Sequence, residues 1–185
     1  MTAPFDAAAS VGAAAPAHPA PVSAFTRACA AVSKAAMVLA IVGLVTLILC
    51  VQFQVVGRYV FNDTPTWAEA LALLLVLYVT AFGVAVGVRD AGHIGLESLV
   101  ALLPDAWRVK IEYLIHALVA LFGGLMAQSG WRWASLKWGE KKPMLGVPEA
   151  LDYLPIVICG VLILLFSVEH IVALWRGTEV EPAWN

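Results

Sequence analysis

His116 and His170 are the side chains in this sequence best suited to holding a cofactor. Imidazole is an axial haem ligand, and two rings brought from two helices of an up-and-down four-helix arrangement could grip one iron. The plainer reading of a histidine near a helix end is an interfacial hydrogen-bond donor. Arg58 and Glu69 flank a short turn and could pair there or reach outward, since a guanidinium binds carboxylates and carbonyls in a fixed fork. His93 and Glu97 are four apart and would share one face of a helix, either as a solvated polar edge or as a contact. Cys29, Cys50 and Cys159 have no paired spacing, so neither disulfide nor metal is expected. No nucleophile with an adjacent base emerges, and no catalytic residue or cofactor is expected. The chain reads as a non-enzyme.

The elements that must position these residues are set by the bilayer. Ala35 to Gly57 (23 residues), Ala70 to Val88 (19) and Tyr113 to Trp131 (19) contain no Asp, Glu, Lys or Arg. Tyr153 to Trp175 carries only Glu169 and His170 as polar ionisable groups. At 1.5 Å per residue, 19 residues span roughly 28 Å, close to a hydrocarbon layer of about 30 Å. With 62% hydrophobic and 13% charged residues, a 185-residue chain cannot hide its apolar surface within a globule. The tryptophans mark the two membrane surfaces: Trp67 opens the second span, Trp107 precedes the third, Trp131 and Trp133 close it, and Trp175 closes the fourth. A net charge of −2 without a basic patch excludes nucleic acid as a partner.

The fold class expected is an all-α membrane protein with transmembrane helices at about 35–57, 68–88, 108–131 and 153–175. A short interfacial amphipathic helix is expected between helices two and three, where Asp90, His93 and Glu97 alternate with Ile94, Leu96, Leu99, Val100, Leu102 and Leu103 ahead of Pro104. Residues 1–24, rich in Ala and Pro, read as a disordered tail, 25–176 as the membrane domain and 177–185 as a short C-terminal tail. Asn62, Asp63 and Pro65 predict a tight hairpin between helices one and two. Pro143, Gly146 and Pro148 predict an irregular excursion between helices three and four, with at most one turn of helix. A cytoplasmic N-terminus puts Arg27, Lys34, Arg89, Arg108, Lys110 and Arg176 inside, against Arg58, Arg132, Lys137, Lys141 and Lys142 outside, so the positive-inside rule leans toward cytoplasmic termini.

Transport chemistry would ask for ionisable groups at mid-depth, or for helices broken by Gly and Pro. The helix interiors offer Thr46, Thr80, Ser129 and a few glycines, none able to neutralise a carboxylate or strip the hydration from sodium. No substrate-binding residue is therefore expected, and a permeation path would belong to another chain. Gly83 and Gly87 form a GxxxG spacing suited to close helix packing, within the chain or on a partner.

From Gly57 onward the chain resembles a known family. Gly57-Arg58-Tyr59-Val60-Phe61-Asn62, then Pro65, Trp67, Glu69, Leu71, Gly83, Arg89, Gly92-His93-Ile94, Leu99 and Leu103-Pro104 look like the small membrane subunit, DctQ type, of tripartite ATP-independent periplasmic (TRAP) transporters. Gly130-Trp131, Leu145-Gly146-Val147-Pro148, Tyr153-Leu154 and Pro155-Ile156 extend the likeness, which covers about residues 30 to 176. Ala70 follows Glu69 where the family commonly has a second Glu, so a role needing two carboxylates is not carried over.

The resemblance implies a multi-pass protein of the bacterial inner membrane with cytoplasmic termini. Its partners would be a large membrane subunit that carries the organic acid and sodium, and a periplasmic substrate-binding protein. The chain itself would be a scaffold, with Arg58, Trp67, Glu69, Gly83, Gly87 and His93 as assembly residues. The rival reading is a haem- or quinone-linked membrane anchor of a redox enzyme, resting on His116 and His170. Arg58→Ala is predicted to weaken association with a partner more than it lowers the yield of this subunit, and equal co-purification of wild type and variant would contradict that.

Overall fold

In the computed structural model, the residues described are 24–63, 65–90, 105–177 and 180. They form α1 (Ala24–Val60), α2 (Thr66–Asp90), α3 (Asp105–Leu136), a 3₁₀ turn (Glu149–Asp152) and α4 (Leu154–Arg176). All four long helices are apolar enough to cross a membrane. In lipid a backbone must satisfy its own hydrogen bonds, and no helix here has an interior proline; Pro65 precedes α2 and Pro155 sits in the first turn of α4, where its missing N–H costs nothing. The helices overrun their apolar spans. α1 has 37 residues, roughly 55 Å of helix, because Ala28, Ala30 and Ala31 continue good helix-forming sequence beyond the membrane-length run.

The helices form an open layer in the order α1, α2, α4, α3. α1 packs along α2, α2 along α4 and α4 along α3, with only a minor contact of α1 on α4. α4 is the interior helix and buries Pro155, Cys159, Gly160, Ile163, Phe166, Ser167, Glu169 and Ala173. The core is built from small residues: Cys29, Ala85 and Phe166 form one cluster, and Ala81, Cys159 and Ile163 a second. Where lipid removes the hydrophobic incentive, such small residues let backbones approach and gain dispersion contact. The tightest approach is α3 on α4, where a Cβ on Gly160 would lie 2.5 Å from the Ala127 nitrogen and the Gly123 oxygen.

The turn after α1 closes over Gly57, whose carbonyl accepts from the N–H groups of Phe61 (3.1 Å) and Asp63 (3.2 Å). Asn62 takes the left-handed conformation (φ 52°), which Asn tolerates better than most residues. The connection between α3 and α4 is more ordered than an irregular excursion. Lys142 N–H donates to Val147 O, Gly146 N–H to Lys142 O and Glu149 N–H to Glu140 O, so the proline-rich segment folds as a small reverse turn. Lys142 also pairs with Asp152 at 2.7 Å, and Lys137 lies between Glu140 and Glu149. The Lys137 hydrogen bond holds the Glu140 carboxyl below its ordinary range and raises the ammonium, so this pair persists at neutral pH and is lost as pH falls through the depressed carboxylate value or rises through the raised ammonium value.

Trp107, Trp131, Trp133 and Trp175 all project outward, as interfacial anchors do. Gly160→Val should destabilise the purified subunit by about 1–3 kcal/mol through overpacking against α3, read as a lower unfolding midpoint in detergent. An unchanged midpoint would contradict the crossing described.

Candidate functional site

The last turn of α2 carries Arg89, whose side chain is only 1% exposed. It meets Glu169 of α4, also 1% exposed, through a two-pronged fork: Nε donates to Oε2 and Nη2 to Oε1, each at 2.9 Å. The remaining guanidinium nitrogen, Nη1, donates to Asp90 Oδ1 at 2.6 Å, and the Phe166 ring centroid lies 5.9 Å from the guanidinium carbon. The other Asp90 oxygen accepts from the buried Ser33 hydroxyl of α1 at 2.9 Å. Such an array is what burial of charge demands. The desolvation cost of several kcal/mol per ion is offset only when geometry is good and the remaining lone pairs are filled.

α4 contributes a second group. His170 Nε2 lies 3.0 Å from the Arg89 carbonyl oxygen, so the ring donates into the C-terminal end of α2, where helix carbonyls lack partners within their own helix. His116 of α3 stacks on it with centroids 4.7 Å apart and planes 5° from parallel. All four helices therefore meet at one polar node. Counting along the helix axes, Glu169 is about 9 Å and His116 about 14 Å inward of the tryptophans that end α4 and begin α3.

The node corrects the expectation that the membrane interior holds no charged groups. Arg89 lies one residue beyond one charge-free stretch, and Glu169 reads from sequence as an end-of-helix residue. α2 and α4 run in the same direction, which brings two residues 80 apart to one depth. The available signal was that Glu169 is the sole acid of the fourth span and Arg89 the sole base at the matching end of the second.

The residues expected to matter lie elsewhere. Arg58 and Glu69 are exposed at the opposite end, and no ion pair joins them among the described residues. Trp67 packs near Phe53, with ring centroids 6.0 Å apart. At both Gly83 and Gly87 an added Cβ would meet nothing within 4 Å, so this GxxxG pair faces away from the rest of the chain. His93, Glu97 and the expected interfacial helix lie outside the described residues. The stacked histidines present faces to each other, whereas an iron held between two imidazoles needs both rings to point a nitrogen lone pair at it, so this arrangement is not a haem clamp. Among the described residues no cluster of three or more His, Cys, Asp or Glu side chains could hold a metal.

Four apolar spans joined at a node of paired buried charges describe a membrane subunit. A family model for tripartite ATP-independent periplasmic transporters, DctQ component, matches residues 47–177. The chain belongs to the DctQ family. A Haemophilus influenzae protein that carries the name TRAP transporter small permease protein is 26% identical over 137 residues, covering 72% of this chain and 83% of the relative. The Vibrio cholerae sialic acid TRAP transporter small permease protein SiaQ is 22% identical over 130 residues, 70% of this chain and 75% of SiaQ. The sialic acid TRAP transporter permease protein SiaT of H. influenzae is 35% identical over 66 residues, 36% of this chain and 11% of SiaT. This DctQ chain is thus a multi-pass membrane protein, and the node is part of its membrane domain.

Arg89→Ala should cost this DctQ protein about 3–5 kcal/mol, because Glu169 is left buried and uncompensated. Arg89→Lys should fall between, since an ammonium cannot reproduce the fork. Unfolding of the purified variants in detergent checks the order, and an Arg89→Ala protein as stable as wild type would refute it.

Proposed function

We propose that this chain is the scaffolding small subunit of a sodium-coupled TRAP importer of organic acids. The carrying observation is that the ionisable side chains within its membrane layer are engaged with one another in the node, while large apolar helix faces are left open. A transporter needs polar groups that exchange partners with a substrate, and a brace needs groups that do not. In this reading the large membrane subunit holds the path for substrate and sodium. The chain catalyses no reaction and needs no cofactor.

Two observations support a large partner. Among the described residues, a Cβ at Gly83 or Gly87 would meet nothing within 4 Å, and the same helix exposes Leu73, Val76, Leu77 and Val84. A segment of this kind also occurs inside SiaT, a permease protein of which it forms a small fraction. The six-against-five count of Lys and Arg favours cytoplasmic termini, and in this reading the node lies toward the cytoplasmic side. The α1–α2 hairpin, with exposed Arg58, Tyr59 and Phe61, and the turn between α3 and α4 then face the periplasm, where a soluble binding protein would dock.

Deleting this gene should abolish uptake by the system, and the tagged subunit should co-purify with a much larger hydrophobic polypeptide. Introducing Gly83→Leu with Gly87→Leu should reduce that co-purification at least several-fold while the subunit's own unfolding midpoint stays within error. Full co-purification of the double variant would remove the α2 face as the docking surface, and uptake that survives deletion would remove the transport reading.

A further inference from the structure

We propose that Arg89 is a positioning residue that fixes the register of α2 against α1 and α4. The inference stands on helix geometry alone and does not require the transport reading. An open layer has no closing contact to set how deep each helix sits. Along α2 the buried alanines packed on α4 are Ala81 and Ala85, one turn apart, with Val88 partly buried beside them, so a slip of one turn (5.4 Å) puts one alanine where the other was. Apolar contact exchanged for lipid contact discriminates weakly between those two depths.

The polar groups discriminate strongly. The Arg89 fork on Glu169 and the Ser33 to Asp90 hydrogen bond can form at one depth only. Slippage by a turn would leave Glu169 buried without its guanidinium and would withdraw the Arg89 carbonyl from His170. The node lies at the last described turn of α2, while α1, α3 and α4 all continue past it toward the same surface. α3 and α4 are fixed to each other by the Gly123–Gly160 crossing, and α1 to α2 by the hairpin and by Gly43 against Val79. The node is therefore what joins the two helix pairs in depth. A further polar link between them among the described residues is Tyr78 Oη donating to Leu151 O at 3.2 Å, a single neutral hydrogen bond. Register specification is the best-attested use of buried polar groups, and here the layer has few other means of it.

The test uses the full chain alone in lipid nanodiscs. Native Cys159 shares a buried cluster with Ala81. In a Cys29→Ala, Cys50→Ala background, Ala81→Cys should give one efficient disulfide with Cys159, and Leu77→Cys or Ala85→Cys little. Adding Arg89→Leu with Glu169→Leu, which removes both charges together, should leave helicity unchanged but move at least a third of the cross-linking to position 77 or 85. Tyr78→Phe should leave the pattern confined to 81. A confined pattern in the double-leucine variant would overturn the proposal, as would equal spreading in Tyr78→Phe. Collapse of helicity together with all cross-linking would also overturn it, since the node would then be a requirement for folding and not for register.

Discussion

A guanidinium carried to membrane depth must find its counter-charge inside the protein, and that requirement organises this molecule. Arg89 finds two carboxylates, Glu169 across the helix interface and Asp90 beside it, and each carboxylate spends both oxygens on defined donors. The arrangement is expensive in desolvation and forgiving of almost no displacement. Around it the apolar packing is generic: alanines, cysteines and glycines that permit close approach without specifying a partner. Specificity and adhesion are thus divided between two classes of residue in one small domain.

That division explains why the layer can remain open. A closed bundle would bury the faces that here carry Leu39, Val42, Leu49, Leu77 and Val84. Left open, those faces meet lipid or another membrane chain without any polar cost. A subunit whose ionisable groups are already committed to each other offers a rigid apolar wall, and such a wall suits a brace. The polar surfaces at the hairpin and at the turn before α4 are held by local devices, the Gly57 carbonyl cap and the Lys142–Asp152 pair, that do not draw on the node.

The four spans are legible in sequence because lipid imposes length and composition on every one of them. Their ends are not, since Ala28 to Ala36 continue helix in water as well as in lipid, and composition reports the solvent and not the hydrogen-bond ladder. The family was legible from the ordered run between Gly57 and Ile156, and the matching family model covers all of that range. The node was not legible. Arg89 and Glu169 meet only because two helices run parallel at a common depth, a three-dimensional fact that local spacing does not give and to which the lone acid of one span and the lone base of the other only point. The GxxxG spacing illustrates the same limit: it marks Gly83 and Gly87 as small, while Gly123 and Gly160, without that spacing to each other, make the closest crossing in the chain.

The proposed role as a brace rests on buried charges that pair with one another and leave none for a moving solute. Reconstitution of the purified subunit alone into proteoliposomes, with radiolabelled organic acid outside and an inward sodium gradient, addresses it most directly. The account predicts uptake indistinguishable from that of empty liposomes; gradient-driven accumulation by this chain on its own would contradict it.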